Sequence, residues 1–144
     1  MKNILFILML LTFMNACSVK PEPLQFGKDA CYACKMTLMD QKFGSEIVTK
    51  KGKVYKFDDV NCMIGFYKSG YEPQENIAHH LVIDFMKPGE LIDVKSAQYI
   101  RSEAIRSPMA SQVAAFNTTQ DLDSILKEWN GHALTWEKLV KQFE

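Results

Sequence analysis

No charge of one sign prevails in this chain: 17 lysines and arginines are set against 17 aspartates and glutamates. The basic residues are scattered rather than massed, so the electrostatic footprint of a nucleic-acid binder is missing and that partner class is set aside. No apolar run reaches the roughly 20 residues a membrane-spanning helix needs. With 144 residues there is room for one compact unit or two very small ones, and a multi-domain enzyme is excluded. No general acid or base pairs with a nucleophile, so nothing in the sequence speaks for catalysis. The composition, 47% hydrophobic and 24% charged, is that of an ordinary globular protein rather than a disordered or repeat-array chain.

What is present begins with a distinctive start. Lys2 is followed by an apolar run from Ile4 to Met14, then Asn15, Ala16 and Cys17. A positive residue, a short apolar core and a small residue before a cut read as an export signal over 1–16. Met14-Asn15-Ala16-Cys17 resembles the lipobox of bacterial lipoproteins, which implies that Cys17 is acylated and becomes the new N-terminus. The protein is then expected to be exported and lipid-anchored on the periplasm side of the inner or outer membrane, tethered and not spanning. Residues 17–29, with Pro21 and Pro23, read as an extended spacer. Order is expected from Phe26 to Ala30 onward.

Residues 30–144 then read as an α+β domain. Ser45 to Lys50 and Lys53 to Phe57 are β-type runs around Lys51-Gly52, which predicts a hairpin. Asp58 or Asp59 caps a helix whose apolar residues Val60, Met63, Ile64 and Tyr67 recur at helical spacing up to Gly70. Leu81 to Phe85, Leu91-Ile92 and Ala97 to Ile100 are strand-like. Asp121 is placed to cap a helix through Leu122, Ile125, Leu126 and Trp129, with Gly131 as its stop. A short strand at Ala133 to Thr135 and a closing helix from Trp136 to Phe143 follow. Gly52 to Val60 aligns with Gly131 to Leu139, which suggests two similar units, 30–86 and 87–144. In that alignment the Leu122 to Trp129 helix is an insertion, and Met36 and Met109 occupy equivalent places.

The chemistry lies in sulfur. Cys31-Tyr-Ala-Cys34-Lys-Met36, with Cys62-Met63 downstream, is an unusual density of thiols and thioethers for an exported chain. A disulfide between two of the three would leave an odd cysteine, itself a sign of a reactive thiol or ligand. Zinc would want a fourth ligand from His79, His80 or His132. A thioredoxin-like redox motif would sit between a strand and a helix, where this one precedes a hairpin. Cu(I) is soft, accepts two or three ligands and prefers thiolate and thioether. If the segment is extended, residues two apart face the same way, and the sulfurs of Cys34 and Met36 converge. Met63 lies on the apolar helix face, where methionine is ordinarily core filling. Met39 and Met86 read as packing or surface.

These residues together resemble the NosL family of copper-binding lipoproteins. The match runs through Cys31-x-x-Cys34-x-Met36, Asp40 with Phe43, Gly52 followed by Phe57-Asp58-Asp59-Val60-x-Cys62-Met63, then Ile92-Asp93 with Ala97, Ser107-Pro108-Met109 leading into Ala115-Phe116, and Gly131. Many members have glycine where this chain has Lys35, and glycine commonly stands where Ala110 does. The resemblance implies a fold of two ββαβ-type units packed as a pseudo-repeat. It implies a Cu(I) core of Cys34, Met36 and Met109, with Cys31, Cys62, Met63 and Asp93 as further candidates. It implies a metallochaperone rather than an enzyme, serving a client copper enzyme of the nitrous-oxide reductase kind alongside an ABC-type membrane complex. General metal storage or sensing and thiol oxidoreduction are the alternatives.

Overall fold

The computed structural model describes residues 19–117 and 122–143. The export signal, Cys17 and the expected cap Asp121 lie outside the described residues. The fold is α+β: two antiparallel sheets and three short α-helices. The first sheet holds β1 (Ser45–Thr49), β2 (Val54–Phe57), β3 (Ile77–Ile83) and β4 (Leu91–Asp93) in the order β2-β1-β3-β4. The second holds β5 (Ala97–Arg101), β6 (Val113–Asn117) and β7 (His132–Leu134) in the order β6-β5-β7. The helices are α1 (Val60–Lys68), α2 (Asp123–Glu128) and α3 (Trp136–Gln142). Among the described residues no helix is long and apolar enough to cross a membrane.

Both sheets are laid down by the same ββαβ order, with the first strand in the middle. β1 pairs antiparallel with β2 and β3, and β5 pairs antiparallel with β6 and β7. The two units therefore correspond as expected, but in a different alignment. Matching Gly52–Val60 to Gly131–Leu139 would make β6 and β7 neighbours, as β1 and β2 are; β5 lies between them instead. α2 is thus the counterpart of α1 rather than an insertion. Met36 precedes the first strand of its unit, whereas Met109 lies between the first and second strands of its own. The two methionines are not equivalent along the chain. β4, on the expected second-unit side of residue 86, hydrogen-bonds to β3 and extends the first sheet through Asp93.

β1 is buried along its whole length. Ile47 lies opposite Tyr55 and Ser45 opposite Phe57, and Ile47, Tyr55 and Phe57 join the core with Met63, Ile64 and Phe66 of α1. Strand alternation turns Glu46 the other way, opposite Lys56. That side is covered by the segment expected to be a free spacer. The Glu22 N–H donates to Glu46 Oε1 at 3.0 Å, and Lys56 Nζ lies 3.4 Å from Glu22 and 2.8 Å from Asp29. Leu24 is buried. Its Cδ1 would lie 2.8 Å from a Cβ on residue 44, which is why glycine stands there, at φ 114°. Packed structure thus begins at Glu22, earlier than Phe26.

The two units share one core in which Tyr99, Val113, Trp136 and Leu139 of the second join Tyr55, Phe57, Met63 and Ile64 of the first. The Phe85 N–H donates to the Ala115 carbonyl at 2.8 Å, linking the end of β3 to β6. A smaller cluster, Phe43 with Ile100, Ile105, Ala114, Phe116 and Leu122, packs the other side of β5 and β6. Gly131 does not end α2 as expected. Asn130 takes the left-handed conformation there, at φ 47°. Gly131 is needed for close approach, since a Cβ would meet Ile100 Cγ2 at 2.6 Å and the Arg101 carbonyl at 3.3 Å.

Candidate metal centre

The loop carrying the first two cysteines is a tight knuckle, not an extended strand. An isolated bridge between Ala30 and Thr37 closes it. Inside it the Cys31 N–H donates to the Met36 carbonyl at 2.8 Å and the Lys35 N–H to the Cys31 carbonyl at 3.0 Å. Lys35 turns the chain with φ 65°. The expected convergence of Cys34 and Met36 by strand alternation therefore does not hold, because residues 32–34 are turn. The knuckle is fixed to the sheet edge by the Tyr32 N–H, which donates to the Lys56 carbonyl at 2.7 Å.

Cys62 comes from the first turn of α1. Asp59 caps that helix, its carboxylate accepting from the Val60 N–H at 2.7 Å, and its carbonyl accepts from the Cys62 N–H at 3.1 Å. Knuckle and helix bring the sulfurs of Cys31, Cys34 and Cys62 within 4.8 Å of one another. All three are free thiols. Cys31 is buried and the other two are half-buried. A metal–thiolate bond of about 2.3 Å places three sulfurs around a trigonal ion about 4 Å apart, so this spacing fits one ion. Among the described residues no histidine, aspartate or glutamate joins the cluster, and the histidine completion that zinc would want is not formed.

The electrostatics of the cluster favour a thiolate. Hydrogen bonding from Cys62 holds the Cys31 thiol far below its ordinary range, down to about 5, against burial and with help from the N–H groups of Cys34 and Asp58. Cys62 is pushed up by the same bond and by burial. Burial also raises Cys34, whose sulfur receives the Met36 N–H. The hydrogen bonds among the three sulfurs thus favour the thiolate on Cys31 over its two neighbours. Asp58 is raised to about 6, chiefly by burial and then by the Cys31 charge.

The methionines divide. Met63 is wholly buried in the core beside Ile64. Met36 is 54% exposed at the end of the knuckle, and Met39 is 70% exposed. Met109 is half-buried, and its backbone is docked on the first turn of α1. Its N–H donates to Asp59 Oδ2 at 3.1 Å, and its carbonyl accepts from Asn61 Nδ2 at 3.0 Å. Asp93 ends β4 with its carboxylate capping the following turn at Lys95, exposed and outside the thiol cluster. The sequence pattern named Asp59 only as a helix cap. Its second task was hidden because its partners, Met109 and Ser111, stand 50 and 52 residues away.

The sequence model of the NosL family matches residues 23–143. No curated protein matches the chain. Among solved structures, the fold is similar to the crystal structure of the copper chaperone NosL from Shewanella denitrificans. The TM-score is 0.64 at 16% identity, covering 83% of this chain and 95% of that one.

Proposed function

The chain belongs to the NosL family, and from that premise we propose that it is a Cu(I) metallochaperone, a carrier that catalyses no reaction of its own. The observation that carries the reading is the triad of free thiols within 4.8 Å of one another. Three thiolates around one ion make a soft site, and thioether donors would extend it without adding charge. In this reading Cys31, Cys34 and Cys62 seat the ion, while Met36 and Met109 supply the weaker donors through which it enters and leaves. The lowered Cys31 thiol gives an incoming cation a thiolate already formed at neutral pH, and the remaining protons leave on binding.

Two further parts of the proposal concern place and partner. The chain is exported and anchored through acylated Cys17, facing the periplasm. Its cargo goes to a client copper enzyme, of the nitrous-oxide reductase kind, through a membrane complex of the ABC type. Fatty-acid labelling of Cys17 tests the first part, and copper content of the client enzyme in cells lacking this protein tests the second. The central experiment is competition between Cu(I) and Zn(II) on the reduced, anaerobic chain from Ser18 onward, which keeps every described residue. One equivalent of Cu(I) should bind and resist displacement by Zn(II), and Met109→Leu should weaken it about tenfold or more, about 1.4 kcal/mol. Displacement of copper by zinc would turn the site into a general metal store.

A further inference from the structure

We propose that Asp59 is a positioning residue that sets the copper site from both halves of the fold at once, holding Cys62 with its backbone and Met109 with its side chain. The inference rests on the proposed ligand role of Met109.

Asp59 is fully buried, and among the described residues no cation pairs with it; its carboxylate is met by hydrogen bonds. Oδ1 accepts from the Val60 N–H at 2.7 Å and from the Ser111 hydroxyl at 2.6 Å. Oδ2 accepts from the N–H groups of Met109 at 3.1 Å and Ser111 at 3.4 Å. A helix cap alone uses one or two such bonds. Here three of the four reach across about 50 residues of chain to the loop between β5 and β6, and a carboxylate is the side chain that accepts at every position. The Asp59 carbonyl meanwhile accepts from the N–H groups of Cys62 at 3.1 Å and Met63 at 3.4 Å.

The loop needs the hold. Ala110 and Gln112 both lie in the left-handed region, at φ 55° and 59°, where a Cβ is unfavourable. Ser107 braces it from within, its Oγ 3.0 Å from Ser111 Oγ and accepting from the Gln112 N–H at 3.1 Å. Asn61, two residues after Asp59, closes the clamp by donating to the Met109 carbonyl. Both backbone polar groups of Met109 are therefore fixed from the helical turn that carries Cys62, and in this proposal that turn sets where the thioether can reach.

The test is a double-mutant comparison on the reduced chain from Ser18 onward, read by Cu(I) affinity and by the number of sulfur neighbours of copper in X-ray absorption. Asp59→Asn puts a donor among the donors of the loop, and Asn61→Ala removes only the carbonyl clasp. Each should weaken Cu(I) binding about as much as Met109→Leu does and lower the sulfur count by one. Adding Met109→Leu to either should cost nothing more. A residue that merely caps the helix would change the melting temperature and leave the sulfur count alone. If both variants keep wild-type affinity and sulfur count while Met109→Leu loses affinity, Asp59 does not position the ligand and the inference falls, with the ligand role of Met109 intact. If Met109→Leu itself binds like wild type, the ligand role fails and the inference with it. Additive losses in the double variants also overturn it. Should Asp59→Asn not fold, Asn61→Ala decides alone.

Discussion

Lys35 and Ala110 stand in the left-handed region, at φ 65° and 55°, a conformation that glycine adopts freely and a residue with a Cβ does not. A Cβ in that conformation costs about 1–2 kcal/mol, part of which glycine returns through the larger entropy of its unfolded chain. Ala110→Gly should therefore stabilise the protein by about 0.5–1 kcal/mol, measured as a higher urea midpoint at unchanged slope. Lys35→Gly should gain less, because Lys35 Nζ donates to the Tyr32 carbonyl and lies 4.4 Å over its ring. A lower midpoint for Ala110→Gly would mean that the loop prefers a side chain there. At this scale the three thiols were legible as a group, since cysteine is rare enough to be counted, and the structure brings their sulfurs together. Which thioether goes where was not: Met36, Met63 and Met109 carry the same side chain and differ only in what packs on them.

Local elements followed from short-range chemistry. The hairpin of β1 and β2 and the cap of α1 were written in turn residues and in the apolar spacing of Val60, Met63 and Ile64. What escaped was pairing between distant strands, because a glycine, a strand, an aromatic and an acidic residue precede any helix that follows a hairpin, and such a pattern cannot say whether β6 borders β7. One element records the packing of the two units in a titratable group. His80 of β3 has its ring 4.8 Å from Tyr67 of α1 and 5.9 Å from Trp136 of α3, and among the described residues its Nε2 has no hydrogen-bond partner. Burial holds it down to about 4, with Lys95 lowering it further and Asp93 opposing. An unfolded histidine takes up its proton near 6.5, so between about 6.5 and about 4 the unfolded chain binds more protons than the folded one. Stability is full above that window and falls as the pH drops through it. His80→Phe should flatten this limb of the stability profile; an unchanged slope would place the acid sensitivity elsewhere.

At the scale of the whole molecule the shared core makes two units into one folding unit. Both tryptophans, Trp129 and Trp136, lie in the second unit, and the three thiols lie in the first. Tryptophan fluorescence and thiol labelling should therefore report one coincident unfolding transition. Cu(I) at about 100 times its dissociation constant should shift both reports together by about 2.7 kcal/mol; two separate transitions would show that the units fold independently. The segment from Glu22 to Asp29, laid across β1 and β2 and held by Glu46 and Lys56, bears on where the molecule can work. With an acyl anchor at Cys17, only Ser18, Val19, Lys20 and Pro21 remain to pay out, a leash of about 17 Å fully extended. The thiol knuckle begins just past the end of the strap, at Cys31. Such a carrier cannot cast about in three dimensions for its client. So anchored, it would patrol a layer a few nanometres deep above the lipid, and delivery would become a collision in the plane of the membrane, its rate set by lateral diffusion and by how many clients share that surface.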